Sequence, residues 1–490
     1  MLTAEPNAIA LLLVIASALL ALAVLLSRTS DRFGVPLMLG FLVVGMLAGE
    51  DGPGGIPFSN HTAAFRLGTA ALALILFDGG LNTPLNALKF HWRPAGVLAS
   101  VGVLAVTGLV AVLGWLLGFP WREAVLLGAI LSCTDAAAVF AILRGQNLRL
   151  RKRVGVTLEL EAGLNDPMAV VLTMAFTALA LPGGTWQASQ VAQVPLQLAI
   201  GAFAGWGVGY LGSLLLGWAK LPTTGLYPVL TVALAGFGFG LPTLMGGSGF
   251  LGVFITGLVI GNRHIPFSGN LLRVHAALSW IAQITMFLIL GLLVTPSRLG
   301  GVAWQGIALG LLITGVARPL AILGCLAPFG FSLREMLYIG WTGLRGAVPI
   351  VLATIPVMAG VPEADHLFHV VFVVVVVGTL LPGATVRWAT QKLGMQAKST
   401  PTPLTHLDLH SEAPLDGTLL SYVLDGASPG VGGRIAELEL PGDAWIVAVV
   451  KDGRLLRPER DHVLRSGEQV FIAVSEAHRA EVEHLYDECA

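Results

Sequence analysis

Six ionisable side chains stand inside long apolar runs of this 490-residue chain: Asp78 in LILFDGGLN, Asp135 in LSCTDAAAVF, Glu161 and Asp166 in LELEAGLNDPMAVV, Arg318 in GVARPL and Arg345 in WTGLRGAVPI. A charge at the centre of a bilayer costs at least about 2.5 kcal/mol on insertion scales, so such residues mark ion or proton pathways or neutralise one another. Glu161 and Asn165 are four apart and share a helix face, with Asp166 one residue-step further round. Pro167 follows and frees a carbonyl at that depth. An acid, an amide and a second acid can therefore surround a small dehydrated cation. The alternative is that Glu161 and Asp166 only neutralise Arg318 and Arg345 and hold helices together. The sequence carries no HExxH helix, nucleophile elbow or P-loop, which speaks against an enzyme.

These residues need a membrane-spanning scaffold. Hydrophobic residues make up 55% of the chain and charged ones 12%, about half the usual charged share, so a soluble fold could not bury the apolar surface. Apolar runs near span length predict an all-α polytopic membrane protein with about thirteen helices. They fall near 8–27, 33–49, 65–81, 94–117, 121–143, 158–181, 191–218, 224–241, 246–261, 274–295, 302–328, 334–358 and 366–388. Alternate joints hold most of the Lys and Arg: Arg28 and Arg32, Lys89 and Arg93, Arg144 to Arg153, Lys220, Arg263 and Arg273, Arg334, then Arg387 and Lys392. The opposite joints hold only Arg66, Arg122 and Arg298, which predicts an outside N-terminus and a cytoplasmic C-terminus. The N-terminal MLTAEPNAIA lacks a basic start, so the first span is expected to be retained.

The fifth and twelfth spans each carry Thr beside polar or Gly residues at mid-length, in SCTDAAAV and GWTGLRGAV. Broken helices in corresponding positions of two inverted halves are where secondary transporters build their sites. The half-helix ends would leave partial charges for Asp135 and Arg345 to balance. Other features are read as structural. WGVGYLG looks like a potassium filter but lies inside a long apolar span, and Gly201, Gly205 and Gly209 suit close helix packing. His264 and His275 fall in a basic joint and are expected to be solvated. Cys133, Cys325 and Cys489 are odd in number and far apart, suggesting neither a disulfide nor a metal cluster. A net charge of −1 gives no reason to expect nucleic acid.

After Trp388 the polar QAKSTPTPLTHLDLH marks a linker. The expected organisation is a membrane domain over 1–392, a linker over 393–409 and a small α/β module over 410–490. In that module LLSYVLD, WIVAVV and QVFIAVS read as strands, IAELEL as a short helix and KDGR as a hairpin turn.

With these residues in view, the chain resembles the monovalent cation/proton antiporter family, in particular its NhaP-type potassium/proton subgroup. The resemblance is carried by TDAAAVF, ExxxNDPMA, GGSGFLGVFITGLVIGN and GLRGAVPI over most of 8–390. It implies an inverted-repeat antiporter fold with crossed, unwound fifth and twelfth spans, a homodimer in the bacterial cytoplasmic (inner) membrane, and alternating access. Asp166 looks like the carboxylate that binds cation or proton, and Asn165 stands where electrogenic relatives have a second Asp, implying electroneutral exchange of potassium or sodium. Thr134 and Asp135 look like fifth-span contributors and Asp78 like a third-span one. Glu161 and Arg345 look like a buried ion pair, with Arg318 nearby. Ala136 replaces a Pro common in the family, as in the potassium subgroup. The tail resembles an RCK_C (TrkA-C) domain, which implies dimerisation or a small regulatory ligand, a nucleotide among the candidates. No cofactor is expected beyond the transported ion.

Overall fold

The computed structural model describes residues 10, 13–25, 37–135, 139–140, 142–143, 148, 150–184, 188–263, 265, 267–397, 405–408, 418–424, 428, 430–438, 440–451, 454–475, 477–478 and 481–482. The chain divides into two compact units, Met1–Met395 and Gln396–Ala490.

The first unit is helical. Its elements are α1 (Leu13–Leu25), α2 (Leu37–Ala48), α3 (His61–Asn82), α4 (Leu85–Val97), α5 (Val103–Leu116), α6 (Trp121–Ile130), α7 (Lys152–Ala180) and α8 (Ala188–Trp218). They continue with α9 (Leu226–Leu244), α10 (Gly249–Gly261), α11 (Ser268–Leu293), α12 (Pro296–Leu312), α13 (Arg318–Leu326), α14 (Leu333–Trp341), α15 (Val348–Met358) and α16 (Ala364–Lys392). Single turns of π-helix, Leu98–Gly102 and Ile313–Ala317, join α4 to α5 and α12 to α13. Among the described residues eight helical stretches are long and apolar enough to cross a bilayer, and four apolar helices are shorter: α1, α2, α10 and α15. The sequence expectation of about thirteen full-length spans thus resolves into long spans and short ones. Each expected span contains helix, but the fifth and twelfth are interrupted.

Local chemistry sets several of the ends. Asn60 caps α3 by accepting from the Ala63 amide at 2.9 Å, and Ser248 caps α10 through the Leu251 amide. Ser332 and Glu335 form a reciprocal capping box that starts α14.

In a membrane, helices associate through close backbone approach rather than hydrophobicity. Helix α10 does this on two sides. A Cβ on Gly257 or Gly261 would collide with the carbonyl oxygens of Phe77 or Leu81 in α3, and one on Gly205 in α8 would collide with that of Gly252. Gly201 meets the Ser248 carbonyl and Gly209 meets Val259 and Thr256 in the same way, so Gly209 of WGVGYLG is a contact point, whereas a Cβ on its Gly207 meets nothing within 4 Å. Thr256 reinforces the joint by donating to the Gly205 carbonyl at 3.0 Å.

His275 does not lie in a solvated joint. Helix α11 begins at Ser268, so Arg273 and His275 are already helical. His275 is buried, hydrogen-bonded to Thr231 at 2.7 Å and packed against the Phe77 ring. His264 lies outside the described residues. Cys133 and Cys325 are buried free thiols, while Cys489 and Ala136 lie outside the described residues.

The second unit is a five-stranded antiparallel sheet of order β1-β2-β5-β3-β4. The strands are β1 (Thr405–Asp408), β2 (Thr418–Val423), β3 (Trp445–Lys451), β4 (Arg454–Leu456) and β5 (Gln469–Val474). Leu420, Tyr422, Ile446, Val449, Val470 and Ile472 form its core. IAELEL gives only a 3-10 turn, Ile435–Glu437. The segment expected as linker, 393–409, contains β1, paired with β2 from Thr405–Ser421 to Asp408–Thr418. Strand pairing uses main-chain groups, so a polar sequence can supply an edge strand.

Candidate functional site

Two broken spans meet at the centre of the first unit. Helix α6 ends at Ile130, residues 131–135 are not helical, and residues 139–140 and 142–143 are helical. Helix α14 ends at Trp341, and the chain stays non-helical until α15 begins at Val348. The extended stretches are joined directly. The Asp135 amide donates to the Leu344 carbonyl at 2.8 Å, and Arg345 Nε donates to the Leu131 carbonyl at 3.2 Å. Thr379 of α16 fastens the same stretch by donating its hydroxyl to the Arg345 carbonyl.

The charges match the helix ends. Leu131 is the C-cap of α6, where unpaired carbonyls carry partial negative charge, and Arg345 binds there. Asp135 lies against Gly346, two residues before α15, whose N-terminus carries partial positive charge.

Unwound backbone at membrane depth is tolerated only where it is buried in protein or lines a cavity. The glycines of GLRGAVPI make that burial possible. A Cβ on Gly346 would overlap the Asp135 carboxylate, and one on Gly343 would overlap the Arg318 guanidinium. Overpacking of this kind costs about 1–3 kcal/mol. Gly346→Ala is therefore expected to slow ion exchange and lower the melting temperature. Gly108→Ala, inside α5 where a Cβ meets nothing within 4 Å, is expected to leave exchange unchanged and to raise the melting temperature slightly, since Ala favours a helix over Gly. Equal behaviour of the two variants in a vesicle flux assay and a thermal melt would contradict this packing.

Helix α7 brings the third set of groups. Asn165 Nδ2 donates to Thr134 Oγ1 at 2.7 Å, fixing the amide against the unwound fifth span. Asp166, 7% exposed, follows it, and Asp135 lies within its electrostatic reach. Asp166 Oδ1 and Asn165 Oδ1 are buried acceptors with no hydrogen-bond partner among the described residues. Buried polar atoms are otherwise almost always paired. Two such oxygens beside a Thr hydroxyl and a second carboxylate suit a dehydrated alkali cation, a hard ion that takes oxygen ligands. Among the described residues, no group of three His, Cys, Asp or Glu could hold a metal ion.

One turn before Asn165, Glu161 faces another partner. Its carboxylate pairs with Arg318 Nη2 at 3.1 and 3.2 Å, both side chains buried. The expected pairing of Glu161 with Arg345 is thus corrected: Arg318 takes the carboxylate, and Arg345 takes the α6 carbonyl. The π-turn directly before Arg318 sets the direction in which that side chain leaves its helix. Asp78 is half-buried in α3, where Asn82 on the same helix donates to its carboxylate at 3.1 Å.

The structure therefore brings Thr134, Asp135, Asn165, Asp166 and Arg345 to the crossing, with Glu161 and Arg318 as a neighbouring pair. Sequence reading missed the carbonyls of Leu131 and Leu344, which carry no side-chain signal. It also missed Gly343, Gly346 and Thr379. For Thr379 the available signal was a lone hydroxyl in VVVVVGTLL.

The sodium/hydrogen exchanger transmembrane profile matches residues 15–392. A K(+)/H(+) antiporter NhaP from Alkalimonas amylolytica is 39% identical over 473 residues, covering 95% of this chain and 81% of the relative. A K(+)/H(+) antiporter NhaP2 from Shewanella sp. strain MR-4 is 37% identical, covering 97% and 83%. A Na(+)/H(+) antiporter NhaS2 from Synechocystis is 25% identical, covering 84% and 76%. The solved sodium proton antiporter MjNhaP1 from Methanocaldococcus jannaschii superposes with a TM-score of 0.64 at 22% identity, covering 76% of this chain and 99% of that one, a likeness of fold. With that profile spanning the helical unit and its crossing, the chain belongs to the sodium/hydrogen exchanger family, and is a multi-pass membrane cation/proton antiporter rather than an enzyme.

Proposed function

We propose that the protein exchanges potassium for protons, one for one, with cation and proton competing for the Asp166 carboxylate by alternating access. The observation that carries this reading is the pair of buried oxygens, Asp166 Oδ1 and Asn165 Oδ1, that have no hydrogen-bond partner among the described residues and stand at the crossing of two broken helices. Transferring a bare carboxylate through a low-dielectric interior carries a large desolvation cost, whereas one neutralised by a proton or a cation does not. Asn165 adds no charge to α7, so a single charge is exchanged per cycle. Thr134 and Asp135 complete the oxygen set, and Asp78 is assigned a supporting role. Each pH unit supplies about 1.36 kcal/mol, which balances a tenfold opposing cation gradient.

Potassium is favoured over sodium because the relatives at 39% and 37% identity bear potassium/proton names, while the sodium-named one stands at 25%. The membrane unit is assigned about thirteen crossings from its apolar runs and a cytoplasmic C-terminus from the distribution of Lys and Arg in the joints, and the family resemblance implies a homodimer in the bacterial inner membrane. The sheet unit is assigned an RCK_C-like regulatory role with a small ligand such as a nucleotide.

Cation-induced dequenching of a pH-sensitive dye in proteoliposomes tests the exchange. A response to potassium larger than that to sodium or lithium, unchanged by a clamped membrane potential, is expected. Potassium current without proton movement would instead identify a channel. Removal of residues 396–490 is expected to leave potassium-dependent proton exchange in place and alter its dependence on pH or ligand. Loss of all exchange in a correctly folded truncated protein would overturn the regulatory assignment.

A further inference from the structure

The Glu161–Arg318 pair borders a small cavity whose shape the transport reading does not use. It is lined by Leu98, Gly102, Val106, Ser132 and Ala321 together with the two ionised side chains, and has about 10 Å³ of room for the centre of a water molecule. That is close to the minimum for a single water. Three of its lining residues, Ser132, Glu161 and Arg318, are polar. Arg318 Nε is a buried donor with no hydrogen-bond partner among the described residues. The Glu161 carboxylate and the Ser132 hydroxyl, which already donates to the Ala129 carbonyl at 2.7 Å, are acceptors.

Both single turns of π-helix belong to this place. Leu98–Gly102 supplies two of the lining residues, and Ile313–Ala317 delivers Arg318 to it. A π-turn inserts a residue that an α-helix would not hold, and such turns gather at functional sites. An apolar cavity of this size stays dry, but one bordered by a buried charge pair and a hydroxyl has the partners that a water requires.

We propose that this cavity holds one ordered water that accepts from Arg318 Nε and donates to Glu161 and Ser132. Ser132 is two residues from Thr134, so the water connects the ion pair to the unwound fifth span. It is a positioning element: it completes the hydrogen bonding of Arg318 and ties the pair to the strand that carries Thr134 and Asp135.

The test is made on the full-length protein. A map near 2 Å resolution, where ordered waters are visible, is expected to show a solvent peak within hydrogen-bond distance of Arg318 Nε. A featureless cavity in a map that resolves waters elsewhere overturns the proposal.

Gly102→Ala gives an independent readout. The nearest atoms to a Cβ there are those of Leu98 and the Val97 carbonyl, at 3.6–3.7 Å, so it enters without collision. In a dry cavity, Ala replaces Gly in a helix and raises the melting temperature. If the added methyl displaces a water, the melting temperature instead falls by about 2 °C or more. Gly102→Ser, whose hydroxyl can take over bonds of the displaced water, is expected to melt above Gly102→Ala. A rise in melting temperature for Gly102→Ala, or a Ser variant below it, overturns the proposal.

Discussion

Asp166→Asn is expected to abolish potassium-dependent proton exchange in proteoliposomes, leaving only the leak of empty vesicles, while the protein still elutes and melts as the parent does. The amide keeps the volume of the side chain and, like the protonated acid, offers one acceptor and one donor group. It removes the one charge that a proton or a cation can neutralise in turn. Asp166 is 7% exposed and one of its oxygens has no partner among the described residues, so its loss leaves no buried counter-charge stranded. Persisting cation-dependent proton flux in the Asn variant would place the shared site elsewhere, with Asp135 the first alternative. Asp135→Asn is expected to weaken apparent cation affinity more than the maximal rate, because its amide, which joins the two broken spans, survives the substitution.

The second large effect is on stability. Arg318→Met leaves Glu161 buried at 4% exposure without its partner, and breaking such a pair costs about 3–5 kcal/mol. Replacing both members, Glu161→Leu with Arg318→Met, is expected to recover most of that loss, since well-packed apolar pairs often match buried ion pairs. A double-mutant cycle scored by thermal unfolding in detergent measures the coupling. Coupling of Glu161 to Arg318 well above that to Arg345 is expected from the 3.1 Å contact. The reverse order would reinstate the pairing that the sequence suggests.

That pairing illustrates what the sequence can and cannot disclose. The interruption of the fifth and twelfth spans was legible at Thr134, Asp135 and the GLRG run, because Thr beside polar or Gly residues recurs at mid-length in spans seven apart, as in two inverted halves. Asn165 and Asp166 were legible because a carboxylate within an apolar run is costly, and an amide beside it adds a second polar group at the same depth. Which arginine meets Glu161 was not legible. Both arginines lie in apolar runs, and the choice depends on a π-turn at Ile313–Ala317 with no composition of its own. His275 was misplaced because RVH lowers local hydropathy as a joint does. In the fold those polar groups are on a helix that buries the imidazole against Thr231 and Phe77. The strand Thr405–Asp408 escaped notice because an edge strand can be held by main-chain pairing alone.

The bond from the Asp135 amide to the Leu344 carbonyl belongs to neither side chain. A scan that swaps side chains one at a time is blind to it unless it installs proline at 135. Only chemistry on the peptide unit reaches the joint: proline at 135, which has no amide hydrogen, or an ester in place of that amide. In side-chain substitution data this main-chain link between the two halves of the crossing leaves no signature of its own at either position.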